Sequence, residues 1–373
     1  MRVDEISKTV MEDVLICSYE ESQLRRHKRV QLATMVSNKM RELGRLLIVL
    51  KQTVGIRNLF DALKPEFFDN IVTATKIISG YDEENRNYKS PSLALHMSTR
   101  LTQVCDIATK LMIKKSKFMH YENSQDSLKN IKRFKMLVSS HFNSEISSLA
   151  LKDLNEKQWK KPKTFPLTSE LQQFQKYVMD EASEANKHIK ANEQIYIHFR
   201  KLTECVMALT LLINRKRIGE VQFLKLATYT SNAESNHPEE FLESITKSEN
   251  ILTEHFKRIV TEGKGSKPVA ILFPKKIQLL IDVILSVRSR CVPESNEYLF
   301  ANAKTTNRWL SGYHILKKLA DLSGVTNEDL FTSTRLRKQI ATVLQVMNVS
   351  ETEMEQFANF MGHTKKTHEE YYR

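Results

Sequence analysis

The sequence has few of the residues that mark a secreted, disulfide-stabilised or membrane-spanning protein. Its 373 residues include only four cysteines, which lie far apart and form no C-x-x-C pair. We therefore expect neither a zinc knuckle nor a disulfide scaffold, and a reducing compartment fits. No apolar run reaches the roughly 18 residues of a membrane-spanning helix, and the acidic N-terminus lacks a signal-peptide core. No membrane partner is expected.

Glycine and proline are also scarce, with nine and eight residues in the whole chain. Because glycine and proline seldom interrupt the polar first half, which is rich in Leu, Ile, Lys and Glu, this half is predicted to be mostly helical. From Val30 to Leu47 the apolar residues recur at three- and four-residue steps, which is typical of an amphipathic helix. Further helices are predicted at 93–112 and 127–142.

A basic segment with prolines interrupts this helical pattern at 157–168. It contains two prolines, one tryptophan and four lysines, and we predict a linker, with Thr168 or Ser169 capping the next helix. The segment also fits a basic nuclear-targeting patch, and a nuclear localisation is expected. The chain is therefore predicted to contain a helical N-terminal domain, 1–156, and a second domain, 169–373.

The second domain is predicted to be helical around one small sheet. Two β-prone runs, 254–260 and 268–273, flank a Gly-x-Gly turn and predict a hairpin. Another run, 221–230, is strand-like. The predicted helices are 169–190, 195–214, 277–288, 306–322, 333–347 and 351–360. The predicted fold class is mainly α with a small β-sheet.

The chain carries a strong positive excess. Lys and Arg number 57 against 44 Asp and Glu, a net charge of +13, which favours a polyanionic partner such as nucleic acid. Clusters of cations in the first half and the linker can neutralise DNA phosphates and release counterions. For each cluster alone, a solvated helix face is the alternative. The predicted DNA-binding residues are Lys114, Lys115, Lys117, Lys132, Arg133, Lys135, Lys160, Lys161 and Lys163.

Two motifs of the second half carry charged residues suited to phosphate chemistry. Arg217 and Glu220, in R-I-G-E, are spaced i,i+3, so on a helix the carboxylate can hold the guanidinium in one rotamer. Lys264 lies between two glycines at the predicted hairpin tip, where missing Cβ atoms permit close approach to another backbone. The ordinary alternatives are a surface ion pair and a soluble turn. No G-x-x-x-x-G-K-[ST] string occurs, so ATP use is not predicted.

Two further motifs lie toward the C-terminus. Arg337, in L-R-K-Q-I-A-T, is near a predicted helix start, where its guanidinium and the helix N-terminus can act on one phosphate. His363, in M-G-H-T, and Tyr372, in Y-Y-R, are nine residues apart. One straight helix would point them in opposite directions about 13 Å apart, but Gly362 can end one helix before the next begins. The alternatives are a solvent-facing arginine, a structural histidine and a packing tyrosine.

In their order and spacing, these four motifs resemble those of the tyrosine recombinases of the phage-integrase type. The variants L-R-K, M-G-H-T-x-x-x-H and Y-Y-R are most similar to the eukaryotic Crypton transposon recombinases and genes derived from them. The resemblance covers about residues 165–373, and the helical first half is compatible with the family's DNA-clamping domain. It implies a tyrosine-recombinase catalytic domain that acts on double-stranded DNA, as a homotetramer when two duplexes are joined.

The resemblance also implies a role for each residue. Arg217 and Arg337 would clamp the scissile phosphate, where cationic donors stabilise a phosphorane-like transition state. Lys264 would protonate the leaving 5′-hydroxyl, and His363 would hydrogen-bond the phosphate. Tyr372 would attack phosphorus, and the resulting 3′-phosphotyrosyl link would preserve the phosphodiester energy for rejoining. Neither a metal nor any other cofactor is implied.

Some features depart from the family pattern. Thr334 stands where histidine is common, three residues before the second arginine, and threonine can donate a hydrogen bond but cannot act as a base near neutral pH. Lys338 takes a position that is often histidine in bacterial members. We count Glu220, Thr334 and Lys338 as candidate supporting residues. Because Tyr371 adjoins Tyr372, the nucleophile is assigned by the nine-residue spacing. Family members usually continue past this tyrosine, so a truncated chain is one expectation.

The sequence leaves three functions open. An active DNA recombinase is favoured because all five residues with implied catalytic roles are present. The alternative is a domesticated, catalytically inactive DNA-binding protein that keeps the recombinase fold. A type IB topoisomerase shares the same chemistry, although the M-G-H spacing favours a recombinase.

Overall fold

Two separate units make up the chain, Met1–Pro162 and Lys163–Arg373. The computed structural model describes residues 4–26, 32–115, 124–160, 164–231, 255–263 and 267–346. The boundary between the units falls within the segment 157–168. Helix extends to Trp159 on one side of this segment and resumes at Thr168 on the other.

The described part of the first unit is helical apart from one very short β-hairpin. A 3₁₀ turn at Pro65–Phe67 precedes α4, and a π-helical turn at Asn143–Ser147 joins α6 to α7. The elements are α1 (Glu5–Glu12), α2 (Val14–Arg25), α3 (Ala33–Val54), α4 (Phe68–Ser79), β1 (Tyr81–Asp82), β2 (Asn87–Tyr88), α5 (Pro91–Ile113), α6 (Ser124–Phe142) and α7 (Ser148–Trp159).

Two long helices form the centre of this unit. Helix α3 packs against α1, α2 and α4, while α5 packs against α2, α6 and α7. The apolar stripe of α3 is buried at Met40, Leu43 and Leu47, as the three- and four-residue spacing predicts. Gly44 lies so close to α1 that an added Cβ would be 2.5 Å from Val10 Cγ2.

A buried aspartate fixes the N-terminal helices of this unit. The Oδ1 atom of Asp13 accepts hydrogen bonds from the backbone of Leu15 and Ile16 at the start of α2, at 3.0 and 2.9 Å. Its Oδ2 atom accepts from the backbone of Leu59 at 2.7 Å. Burial raises the pKa of Asp13 even though these three bonds favour the charged form. One side chain thus caps a helix and holds a distant loop against it.

The second unit is helical around a single described hairpin. A 3₁₀ turn at Glu328–Leu330 precedes the last helix. The elements are α8 (Thr168–Lys190), α9 (Ile195–Asn214), α10 (Ile218–Gln222), α11 (Leu226–Ser231), β3 (Phe256–Glu262), β4 (Pro268–Pro274), α12 (Lys275–Cys291), α13 (Gly312–Leu322) and α14 (Ser333–Val346). Mainly α structure with a small β-sheet is confirmed.

Helix α9 lies at the centre of the second unit. Every residue from Leu202 to Leu212 is buried, and α8, α12 and α13 pack against this helix. The hairpin is antiparallel, with Phe256 opposite Pro274 at its open end and Glu262 opposite Pro268 at the other. A helix buried on all sides is a rigid support for the residues that follow it in sequence.

Two predictions of secondary structure are wrong. The strand-like run 221–230 instead contains the end of α10 and most of α11, and these short helices bury Val221 and Tyr229 in the core of the unit. The helix predicted at 306–322 begins at Gly312. Before it, the backbone is extended, and Leu310 N donates to Phe300 O at 2.8 Å.

Candidate active site

The candidate site begins at the C-terminal end of α9, which is tied to the hairpin by one side chain. Asn214 Oδ1 accepts from Leu272 N at 2.7 Å, and Asn214 Nδ2 donates to Leu272 O at 2.8 Å. The next residue, Arg215, ends the helix in a left-handed conformation with φ of 50°. This turn ends α9 and leads the chain toward Arg217.

Arg217 and Glu220 form the ion pair that their spacing predicts. Arg217 Nη1 donates to Glu220 Oε1 at 3.0 Å, and Arg217 N donates to Glu220 Oε2 at 3.0 Å. Arg217 directly precedes α10, so Glu220 caps that helix as well as holding the guanidinium. The Arg217 side chain is 28% exposed and that of Glu220 only 4%. The buried acid therefore fixes an arginine whose guanidinium is still partly accessible.

The turn end of the hairpin lies against the same carboxylate. Gly263 follows β3, and its backbone N donates to Lys267 O at 2.7 Å. A Cβ added to Gly263 would lie 3.4 Å from Glu220 Oε1, 3.1 Å from Lys267 O and 2.4 Å from Val269 Cγ2. Lys264 is next in sequence and lies outside the described residues. The hairpin segment and the R-I-G-E segment thus meet at Glu220.

Gly263→Ala is expected to destabilise the second unit by about 1–3 kcal/mol, because the new methyl group overlaps Val269. The measurement is the urea midpoint of unfolding for this variant and for Gly263→Ala made in a Val269→Ala background. The penalty should be smaller in the second background, since the clashing Cγ2 is absent. If Gly263→Ala lowers the free energy of unfolding equally in both backgrounds, the overlap with Val269 Cγ2 is not what destabilises the variant.

Arg337 lies in the first half of α14. Thr332 Oγ1 accepts from Arg335 N at 3.3 Å and so caps the start of this helix. Arg337 is only 9% exposed, which excludes the solvent-facing alternative. Thr334 is exposed and Lys338 is half-buried. A buried guanidinium near a helix start retains its charge and is oriented by its surroundings.

The apolar side of α14 is only partly buried. Leu336 is fully buried, but Ile340 is half-buried and Val343 is 37% exposed. Ile340 and Val343 instead line a groove of about 580 Å³, together with residues of α8 and the end of α9.

This groove lies between the helix that carries Arg337 and the segment that leads to Arg217. Asn214 and Arg215 line it from one side, and Gln339 and Ile340 line it from the other. Arg217 lies two residues beyond Arg215 in sequence, and Arg337 two residues before Gln339. The R-I-G-E and L-R-K motifs are therefore carried by neighbouring segments of one unit.

Two cations beside Arg217 were not singled out from the sequence. Lys216 has no exposed surface, and burial lowers its pKa from 10.5 to about 8, although Glu220 opposes this shift. Burial also lowers the pKa of Arg215 to about 10. The available signal was a run of three consecutive basic residues directly after the largely apolar second half of α9, because cations that adjoin a core helix lie close to buried side chains.

The remaining site predictions fall in two groups. His363, Tyr371 and Tyr372 lie outside the described residues, as do Lys117, Lys161 and Lys163. Of the other predicted DNA-binding cations, Lys135 pairs with Asp106, and Lys160 lies 3.4 Å from Glu156. The cations with exposed side chains and no such pair among the described ion pairs are Lys114, Lys115, Lys132 and Arg133.

The described ranges contain no group of three or more His, Cys, Asp or Glu side chains that could hold a metal ion. Among the helices of these ranges, none is long and apolar enough to cross a membrane.

Comparison with known proteins gives matches among solved structures alone. No family model matches the chain, and no curated protein matches it. The chain is similar to XerA recombinase at 11% identity and a TM-score of 0.35, over 96% of this chain and 92% of that one. It is similar to XerH site-specific recombinase in its post-cleavage complex with palindromic difH substrate at 15% identity and a TM-score of 0.46, over 99% and 93% of the two chains. It is similar to the pre-cleavage complex of XerH with difH substrate at 14% identity and a TM-score of 0.44, over 100% of this chain and 94% of that one.

Proposed function

We propose that this protein is a tyrosine recombinase that cuts and rejoins double-stranded DNA through a 3′-phosphotyrosyl intermediate. The observation that carries the proposal is the meeting of two motifs at one buried carboxylate. Glu220 holds the Arg217 guanidinium at 3.0 Å, and Gly263, at the base of the Lys264 turn, lies against the same carboxylate. These motifs are more than 40 residues apart in sequence, so an ordinary surface ion pair does not account for their proximity.

The burial of Arg337 gives a second line of support. Its helix shares a groove with the end of α9, from which Arg217 follows. Two arginines carried by neighbouring segments suit a phosphodiester, since guanidinium groups bind phosphate oxygens through paired hydrogen bonds. Charge that develops on those oxygens during attack would be stabilised without a metal ion.

The proposed reaction uses the groups in sequence. The Tyr372 hydroxyl attacks phosphorus and gives up its proton to solvent water, and the bond from phosphorus to the 5′-oxygen breaks. Lys264 supplies a proton to that oxygen, which leaves as a 5′-hydroxyl. His363 and the two arginines hold the non-bridging oxygens. Attack by a 5′-hydroxyl on the phosphotyrosyl link reverses these steps and rejoins the strand.

The finer parts of the proposal concern the type of recombinase. The variants L-R-K, M-G-H-T-x-x-x-H and Y-Y-R favour a Crypton-type transposon enzyme acting in the nucleus. We further propose that the helical first unit contributes to DNA binding. Its exposed cations Lys114, Lys115, Lys132 and Arg133 and the net charge of +13 support a duplex partner. Joining of two duplexes would use a homotetramer.

A second candidate is a domesticated DNA-binding protein with this fold and no catalysis. The observation that favours it is Thr334, which stands where the family often has histidine and is exposed at the start of α14. A threonine there cannot take up the proton from the nucleophile near neutral pH.

A covalent-trapping assay distinguishes the two candidates. The protein is incubated with duplexes of randomised sequence that carry a nick near the centre, so that the short cleaved strand diffuses away and rejoining is prevented. After denaturation, DNA that remains attached to the protein is recovered and sequenced.

We expect a 3′-linked adduct that forms equally well with a chelator present, because the proposed chemistry uses side chains for charge stabilisation. DNA that binds before denaturation but is never attached afterwards would favour the domesticated protein. A chelator-sensitive adduct would contradict the proposed mechanism.

A further inference from the structure

A short cationic loop of the second unit, residues 302–308, has no role in the proposed chemistry. Lys304 and Arg308 are exposed in this loop, and neither takes part in the ion pairs found among the described residues. The sequence contains no Asp or Glu from 298 to 320, so no acid within this stretch offsets the two charges. Exposed cations that no carboxylate occupies are suited to contact phosphate groups.

A buried asparagine holds this loop in one shape. Asn296 is only 2% exposed, and its Nδ2 atom donates to Thr305 O at 2.9 Å and to Arg308 O at 2.8 Å. Across the loop, Asn302 N also donates to Arg308 O, at 2.9 Å. Two hydrogen bonds to one carbonyl oxygen thus fix the backbone that carries the Arg308 guanidinium.

A buried arginine in turn supports the segment that carries Asn296. Arg288, near the end of α12, is 8% exposed. Its Nη2 atom donates to Asn296 O at 2.7 Å and to Tyr298 O at 2.9 Å. Buried polar groups that are hydrogen-bonded in this way rigidify the structure around them. The loop is therefore preorganised, and less conformational entropy is lost when it binds a ligand.

The loop also adjoins the segment that carries the first candidate catalytic arginine. Trp309 directly follows the loop, and its ring packs in a T-shape against that of Phe223, with centroids 4.7 Å apart. Phe223 lies beside Gly219, since a Cβ added to Gly219 would be 3.2 Å from Phe223 Cε2. Gly219 belongs to α10, which Arg217 directly precedes. The loop is thus next to the segment at which the scissile phosphate is proposed to bind.

We propose that the loop 302–308 is a second phosphate-binding site, at which Lys304 and Arg308 bind the backbone of the duplex beside the cleavage site. This inference rests on the proposed function for the identity of the polyanion. Contacts to phosphates carry no sequence information, but they fix the register and orientation of a protein on a duplex. The loop would hold the DNA in one orientation while Arg217 contacts the scissile phosphate.

The test is the salt dependence of binding to a labelled duplex of random sequence, measured by fluorescence anisotropy from about 50 to 200 mM salt. Each lost phosphate contact lowers the slope of log affinity against log salt by about 0.9, because fewer counterions are released. The double variant with Lys304→Gln and Arg308→Gln should therefore have a slope lower by roughly 1.8. Both side chains are exposed, so the fold should be retained.

A matched control removes two other exposed lysines from the same unit. Lys187 and Lys190 lie in the last turn of α8, and α8 makes none of the described hydrogen bonds of the loop. The double variant with Lys187→Gln and Lys190→Gln changes the net charge by the same amount and should leave the slope nearly unchanged. Equal falls in the slope for the two double variants would mean that only total charge matters, and would overturn the site.

Asn296→Ala tests whether the loop must be held in place. The substitution removes no charge but deletes the hydrogen bonds to Thr305 O and Arg308 O. The slope should fall part of the way toward that of the Lys304 and Arg308 double variant, and an unchanged slope would overturn the role of Asn296. Thermal unfolding is recorded for each variant, and the surface substitutions decide the proposal if Asn296→Ala does not fold.

The outcomes separate this inference from the proposed function, because the measurement needs binding but no cleavage. An unchanged slope in the Lys304 and Arg308 double variant would overturn the site and leave the recombinase proposal intact. A reduced slope, together with no covalent adduct from the wild type, would support the site although the proposed cleavage fails. A wild type that binds no duplex would overturn both.

Discussion

Tyr372→Phe is expected to abolish the covalent DNA adduct while DNA binding persists. The substitution removes the single oxygen that is proposed to attack phosphorus, and it changes no charge near neutral pH. Loss of a nucleophile lowers catalysis by about 10⁴-fold or more, which places the adduct below detection on denaturing gels. Binding measured by mobility shift should change little, because affinity for DNA depends chiefly on cations.

The adjacent tyrosine provides the control for this experiment. Tyr371→Phe removes the same atom from the preceding residue and should retain the adduct. If Tyr371→Phe abolishes the adduct and Tyr372→Phe does not, the nine-residue spacing from His363 does not identify the nucleophile. Loss of the adduct in both variants would indicate that the two hydroxyl groups act together.

Arg337→Ala is expected to slow adduct formation by about 10²- to 10³-fold, the usual cost of removing one donor from a developing oxyanion. Arg337→Lys should recover only part of the rate, because an ammonium cannot make the paired hydrogen bonds of a guanidinium. The rates are measured under single-turnover conditions, with the unfolding temperature recorded for each variant since Arg337 is largely buried.

Another arginine of α14 serves as the comparison. Arg335 lies two residues earlier, and its Nη1 donates to Asp329 O at 3.1 Å. Arg335→Ala removes an equal charge from the same helix start and should leave the rate within about twofold, because the Arg335 guanidinium is held by a backbone carbonyl instead of a phosphate. Equal losses for the two variants would mean that α14 contributes general electrostatic attraction rather than a specific contact.

The elements that the sequence predicts correctly are those where the apolar periodicity and the flanking glycine, proline or polar residues indicate the same boundaries. Helix α9 was predicted at 195–214 and is observed at Ile195–Asn214, because its apolar run is bounded by polar residues at both ends. The hairpin was also predicted within two residues of its strands, since β-prone runs flank a glycine turn.

The parts that did not follow depend on tertiary burial. The segment after Arg217 has β-branched and aromatic residues that suit a strand, yet it forms two short helices that bury Val221 and Tyr229 in the core of the unit. The extended backbone before Gly312 depends on the Leu310–Phe300 hydrogen bond, which joins residues ten apart. Neither pattern is visible in a short sequence window.

In the candidate site, too, local spacing predicts some contacts, whereas burial depends on the tertiary structure. The R-x-x-E spacing predicts the contact between Arg217 and Glu220, which is a local one. The burial of Lys216 depends on the elements around it, and no spacing rule indicates that a lysine between two arginines faces inward.

The hydrogen bonds of Asn214 have a consequence for how the second unit opens. The Asn214 side chain satisfies both backbone groups of Leu272. The end of α9 and strand β4 therefore cannot separate without leaving these polar groups without hydrogen-bond partners. Amide protons at both ends of this contact should exchange with solvent only when the core itself opens. We therefore expect the segment that leads to Arg217 to exchange slowly as well, because its anchor at Asn214 opens only when the core opens.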